Sequence, residues 1–224
     1  MSSNNLSELR LYQLISPLLP IGNFTYTRSL AWAIEARWIT DIPSLKNWVS
    51  NVIDHSIVTL ELPILLRLLN AFYDSDDASV VRWTQWLIAC RETPELRREE
   101  QQRGAALARL LPSLGVRIPE DLSTHVAKCQ LTGFALAAYK WGIDAHKLCC
   151  GYCWGWLENI ALTGVKLIPL GQTDGQKIMF ELAEKIPLSV EKALTLKDFD
   201  INSSTPALAI ASSRHETQYT RLFR

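Results

Sequence analysis

The stretch from Trp154 to Leu182, WGWLENIALTGVKLIPLGQTDGQKIMFEL, decides the fold. Trp156, Leu157, Ile160, Ala161, Val165 and Ile168 recur at spacings of three and four, the period of a helix buried on most of its sides. Pro169 ends that helix, because proline has no N–H and clashes with the preceding turn. Gly171 to Gln176 reads as a polar loop, and Ile178, Met179, Leu182 and Ile186 then mark one face of a second helix. A plain connector needs only turn chemistry. Two glycines, two glutamines and an aspartate between apolar walls imply a backbone shape that another part of the chain, or a partner, must fit.

The helical period continues outward in both directions. Leu11, Leu14, Ile15 and Leu18 line a first helix, broken at Ser16-Pro17 and again at Leu19-Pro20-Ile21-Gly22. Asn23 to Thr27 reads as a turn or a short extended piece, with Thr27 capping a helix over 29–37. Asp41 or Ser44 caps a helix over 45–60, and Pro63 kinks or restarts it before Leu65 to Phe72. Further helices follow over 80–89, from Thr93-Pro94 to about Leu111, over 120–140, over 145–168 and over 189–196. Strand-like alternation is scarce. The expected fold is an all-α, single-domain bundle of about eight to ten helices spanning 1–224. Residues 1–8 are expected to be flexible and 202–224 to form a C-terminal partner-binding tail.

Lys+Arg and Asp+Glu are balanced at 23 each, so charge gives no support to a nucleic-acid or anionic-membrane partner. The hydrophobic share is 48%, with eight tryptophans, which points to apolar surface that meets another protein. The polar N-terminus lacks a secretory h-region, and no run of about 18 apolar residues would span a membrane. Five cysteines, an odd number, suit a reduced cytoplasmic protein better than a disulfide scaffold.

Cys149, Cys150 and Cys153 are the most tempting metal or thiol site. A closed zinc site takes four ligands, and this cluster sits in an apolar helical run, so buried thiols are the simpler reading. A metal- or thiol-dependent enzyme built on the three cysteines is the alternative. His55, His125, His146 and His215 form no HExxH or His pair at helical spacing, no Walker loop occurs, and no GxSxG elbow is present. No catalytic or metal-ligating residue is therefore assigned. Arg91 to Glu100 is a dense charge run. It reads either as a solvated helix with pairs such as Glu95 with Arg98, or as a dimer or partner face carried by Arg91, Glu92 and Arg97. Ser213 to Arg224 lacks core periodicity and reads either as a disordered tail or, because it sets aromatic residues between arginines, as a partner-binding peptide with the composition of an interface anchor.

Four blocks in order carry a resemblance: LISPLLPIGNFTYT (14–27), RETPELR (91–97), VKLIPLGQTDGQ (165–176) and RHETQYTRLF (214–223). Over nearly all of Leu11 to Arg224 the chain resembles the UreF family of urease accessory proteins; the cysteine cluster departs from the family pattern. The resemblance implies an all-α homodimer without catalytic chemistry of its own. It implies a scaffold that bridges UreD (UreH in some bacteria) and the GTPase UreG and modulates GTP hydrolysis while nickel is delivered to apo-urease. Nickel and GTP would be handled by the complex, with no cofactor bound tightly. Lys166 matches a lysine suggested to face the GTPase, and Gln172, Asp174, Gln176 and Glu35 are grouped with it. Arg214, His215, Glu216, Gln218, Tyr219, Arg221, Leu222 and Phe223 would form the tail that holds UreD/UreH.

Overall fold

The computed structural model describes residues 2–22, 27–168 and 170–217. Asn23 to Tyr26, Pro169 and the tail residues Gln218, Tyr219, Arg221, Leu222 and Phe223 lie outside the described residues. Within them the fold is all-α, as the helical period requires. The helices are α1 (Ser2–Ile15), α2 (Thr27–Glu35), α3 (Ile42–Val52), α4 (Leu62–Tyr73), α5 (Asp77–Ala89), α6 (Pro94–Leu110), α7 (Ser123–Lys128), α8 (Gln130–Trp141), α9 (Ala145–Leu167), α10 (Gln172–Ala183), α11 (Ile186–Thr195) and α12 (Pro206–Glu216). The elements depart from the expected ones in three places, and the second and third bring the described α-helices above the expected eight to ten.

First, the expected helix over 45–60 changes type. α3 starts with a capping box in which the Asp41 carboxylate accepts the Ser44 N–H at 2.9 Å and Ser44 Oγ accepts the Asp41 N–H at 3.1 Å, satisfying donors that no helical carbonyl reaches. From Ile53 to Glu61 the chain widens into a π-helix, and Pro63 stands at the second position of α4. In an α-helix the residue at 63 would donate to Thr59 O, and proline has no N–H to give. Asn202 supplies that bond, its N–H reaching Thr59 O at 3.1 Å, and Ser204 N–H reaches His55 O at 3.1 Å. The segment that leads into α12 is thereby clipped along the π-helix.

Second, the expected helix over 120–140 is a 3-10 turn (Glu120–Leu122), α7 and α8. Cys129 is extended (φ −143°, ψ 120°), and Gln130 N–H donates to the Glu100 carboxylate at 2.9 Å instead of to a carbonyl of α7. Third, α12 has no counterpart in the sequence reading, because its buried residues Leu208, Ala211, Ser212 and His215 include only one large apolar side chain.

α9 is the central helix, about 35 Å long at 1.5 Å per residue. It packs against α1, α2, α3, α4, α10 and α11. Leu148, Leu157, Ile160 and Ala161 are fully enclosed. α1 approaches it along Gly151 and Gly155, where added Cβ atoms would stand 2.9 Å from Leu11 Cδ1 and 3.1 Å from Ile15 O. One connected apolar core runs through the bundle. Among the described residues no helix is long and apolar enough to cross a membrane.

Candidate functional site

The expected loop over 171–176 is largely helix: α10 begins at Gln172, with Gly171 as N-cap. Gly175 sits inside α10 because a Cβ there would lie 2.6 Å from Val165 Cγ2 of α9. The glycine therefore sets how closely the two helices approach, and only a tight elbow separates them. Lys166, Gln172 and Gln176 are exposed, Asp174 is half-buried and Glu35 is exposed at the end of α2. Lys177 lies 3.6 Å from Asp174 one turn earlier. α10 packs on α9 and α3, and Lys46 of α3 pairs with Glu181 of α10.

The charge run lies elsewhere, and the solvated-helix reading of it fails. Arg91, Glu95, Glu99, Glu100 and Arg103 are all buried. Thr93 caps α6, its hydroxyl accepting Leu96 N–H at 3.2 Å, with Pro94 at the first position. Arg91 is 4% exposed, so its guanidinium faces the interior. Its Nη1 donates to Glu61 Oε1 and its Nη2 to Glu100 Oε2, each at 2.8 Å. Tyr152 of α9 donates to the other Glu61 oxygen at 2.5 Å. The other Glu100 oxygen accepts Gln130 N–H and lies 3.6 Å from Cys129 Sγ. A buried carboxylate is costly without a charge partner and satisfied lone pairs, and both carboxylates have them. The network joins the π-helix, the α5–α6 joint, α6, the α7–α8 break and α9. Glu92 is exposed, and the half-buried Arg97 donates to Arg91 O at 2.5 Å.

Two sequence blocks that lie far apart meet here. His215 is 1% exposed, and its Nδ1 is 2.7 Å from Glu95 Oε1. Ser212 Oγ donates to Glu95 Oε2 at 3.2 Å and shares a 2.7 Å hydrogen bond with Thr93. Glu216 accepts the Glu95 N–H at 2.9 Å, one of the donors a helix N-terminus leaves free. The base of the expected tail is thus a helix bolted to the start of α6 and packed along α2. Arg214 points outward and Glu216 is half-buried.

The cysteine cluster is divided. Cys149 and Cys153 are buried. Burial pushes the Cys149 thiol up to about 12 and raises that of Cys153 well above its ordinary value. Such thiols are poor nucleophiles, because the thiolate is the reactive form. Cys150 is half-buried and turns toward His146. Among the described residues no group of three or more His, Cys, Asp and Glu side chains is arranged to hold a metal ion.

A model of the UreF family matches residues 39–183. The chain is 46% identical to a protein of Alcanivorax borkumensis called "Urease accessory protein UreF", over 99% of both chains. It is 45% identical to one of that name from Pseudomonas putida, over 99% of both. The chain belongs to the UreF family. A third member, from Klebsiella pneumoniae, is 41% identical over 97% of each chain. The matched region takes in the buried network around Arg91 and the α9–α10 elbow.

Sequence reasoning missed Glu61, Glu100 and Tyr152 as members of one network. Glu61 carried a usable signal. It is the single charge in the apolar run SIVTLELPILL (56–66), and a lone carboxylate at such a place must find a buried cation.

Proposed function

We propose that this chain is a urease maturation factor that acts as a scaffold in the cytoplasm. It works as a homodimer, bridges UreD/UreH and the GTPase UreG, and modulates GTP hydrolysis while nickel passes to apo-urease. No catalytic step is assigned to it. Nickel and GTP are handled by the complex, and no cofactor is held tightly. The observation that carries this reading is the near full-length identity, 41–46%, to proteins called "Urease accessory protein UreF".

The geometry supports a scaffold in two places. The tail base is fixed on α6 through Ser212, His215 and Glu216, which supports a role for the C-terminal segment in holding UreD/UreH. Lys166 near the end of α9 and Gln172 and Gln176 at the start of α10 are exposed on two helices that Gly175 lets pack closely, which suits them to the GTPase. The thiol-enzyme alternative loses ground because two of its three cysteines lie buried with raised pKa values.

The test is co-expression with UreD and UreG, with the mass of the purified complex read by light scattering. A homodimer carrying both partners is the expected outcome. Truncation after Thr217 should abolish co-purification of UreD, and an unchanged complex sinks the tail assignment. Lys166→Ala should alter GTP turnover by UreG in the complex with the fold intact; normal turnover and normal urease activation remove Lys166 from the site.

A further inference from the structure

Cys150 belongs to a side-chain cluster that the scaffold reading does not use. It stands one helical turn after His146 on α9, and residues four apart share a face. Its Sγ is 3.7 Å from His146 Nδ1. The other ring nitrogen, Nε2, is 3.2 Å from Glu191 Oε1 of α11. An imidazole whose Nε2–H is held by a carboxylate presents a bare Nδ1 lone pair. That is the outer-shell arrangement found behind metal-bound histidines.

The spacing fits an ion. With a metal–sulfur bond of about 2.3 Å, a metal–nitrogen bond of about 2.0–2.1 Å and a tetrahedral angle, the two donors stand about 3.6 Å apart. We propose that His146 Nδ1 and Cys150 Sγ form an exchangeable, two-ligand site for a divalent transition-metal ion of the class that accepts imidazole and thiolate, with Glu191 as the residue that positions His146. The ion replaces the thiol hydrogen, which leaves to water as a proton, so a metal–sulfur bond forms as the S–H bond breaks. Water fills the remaining positions. Cys150 also lines an open groove between α1 and α9, with Tyr12, Gly151 and Trp154, so its thiol is reached from solvent on that side.

Charge around the pair favours a cation. The negative charges of Glu191 and Asp144 act at Cys150 and attract a metal ion. Lys147, the nearby cation on α9, is engaged by Glu8 of α1. His146 is half-buried and Glu191 is exposed, so an ion reaches the site from solvent and leaves it again. Two protein ligands with water in the other positions make an open site rather than a closed structural one. The inference stands on these side chains alone and is independent of the urease role.

Co²⁺ alone is the probe, added to the full-length apo-protein, because cobalt bound to thiolate gives a charge-transfer absorption band. Wild type should take one ion per chain and show the band. Cys150→Ser should abolish the band, and His146→Ala should weaken binding at least tenfold. Glu191→Gln should weaken it about 10–100-fold, the usual cost of removing an outer-shell carboxylate, with partial recovery in Glu191→Asp. Cys90→Ser, which alters the other half-buried thiol, should leave the band in place. Circular dichroism checks that each variant is folded. No band in wild type at millimolar Co²⁺, or a band that survives Cys150→Ser, overturns the site. Unchanged affinity in Glu191→Gln overturns the positioning role.

Discussion

Replacing Arg91 by methionine is the sharpest test of the buried network. The guanidinium is bonded to Glu61 and Glu100 at 2.8 Å on each side, and all three side chains are at most 4% exposed. Little water stands ready to take its place. Methionine keeps much of the volume and the unbranched stem but removes the charge, leaving two carboxylates in the interior without their cation. Breaking a buried pair in this way costs about 3–5 kcal/mol. For a chain of this size that lowers Tm by roughly 6–20 °C, at about 2–4 °C per kcal/mol. Urea titration followed by circular dichroism measures the loss. The companion variant Glu61→Gln/Arg91→Met/Glu100→Gln removes the orphaned charges and should recover most of the stability, since neutral or apolar replacements of buried ion groups are often tolerated. A loss below about 1 kcal/mol in Arg91→Met, or a triple variant no more stable than the single one, would refute the reasoning.

Three further outcomes are expected. His215→Ala leaves the Glu95 carboxylate buried without its imidazole and should cost about 2 kcal/mol; hydrogen exchange should speed up in α12, and unchanged exchange there would mean that the pair does not anchor the helix. Gly175→Ala should cost about 1–3 kcal/mol by overpacking against Val165, and Val165→Ala in the same chain should restore stability to at least the wild-type value in a thermal melt. A thiol reagent at mildly alkaline pH should label only Cys90 and Cys150 in the folded chain, since Cys129, Cys149 and Cys153 are buried. Cys129 and Cys149 are held protonated in the fold up to about 12. In the unfolded chain their thiols ionise from about 8.5. Between those values the unfolded state binds fewer protons, so stability is intact below the unfolded pKa and falls as pH rises toward about 12. Alkaline denaturation curves of wild type and Cys149→Ala should differ in that window.

The sequence discloses this fold wherever helix faces are apolar. Trp156, Leu157, Ile160 and Ala161 are buried as their spacing requires, and Thr93-Pro94 starts α6 where capping chemistry places it. What escaped is what tertiary contacts decide. The inward face of α6 carries Glu95, Glu99, Glu100 and Arg103, and a charged inner face has the same pattern as a solvated outer one. The break at Cys129 depends on Glu100, some thirty residues earlier, so no local rule finds it. The first turn of α10 looked like a loop because Gly175 and its polar neighbours resemble turn chemistry. The glycine is there to admit Val165. The pairing of Glu95 with His215, 120 positions apart, was likewise invisible in either block alone.

The clip between the 202–204 segment and the π-helix has a mechanical consequence. Pulling on the C-terminal end of the chain loads the His215–Glu95 bolt first. If that gives way, the strain passes along α12 to the two backbone bonds at His55 and Thr59. Those carbonyls belong to the widened turns that end at Glu61, a ligand of Arg91. Tension applied at the tail therefore has a short, hydrogen-bonded route to the charged centre of the bundle, and two successive yield points along the way.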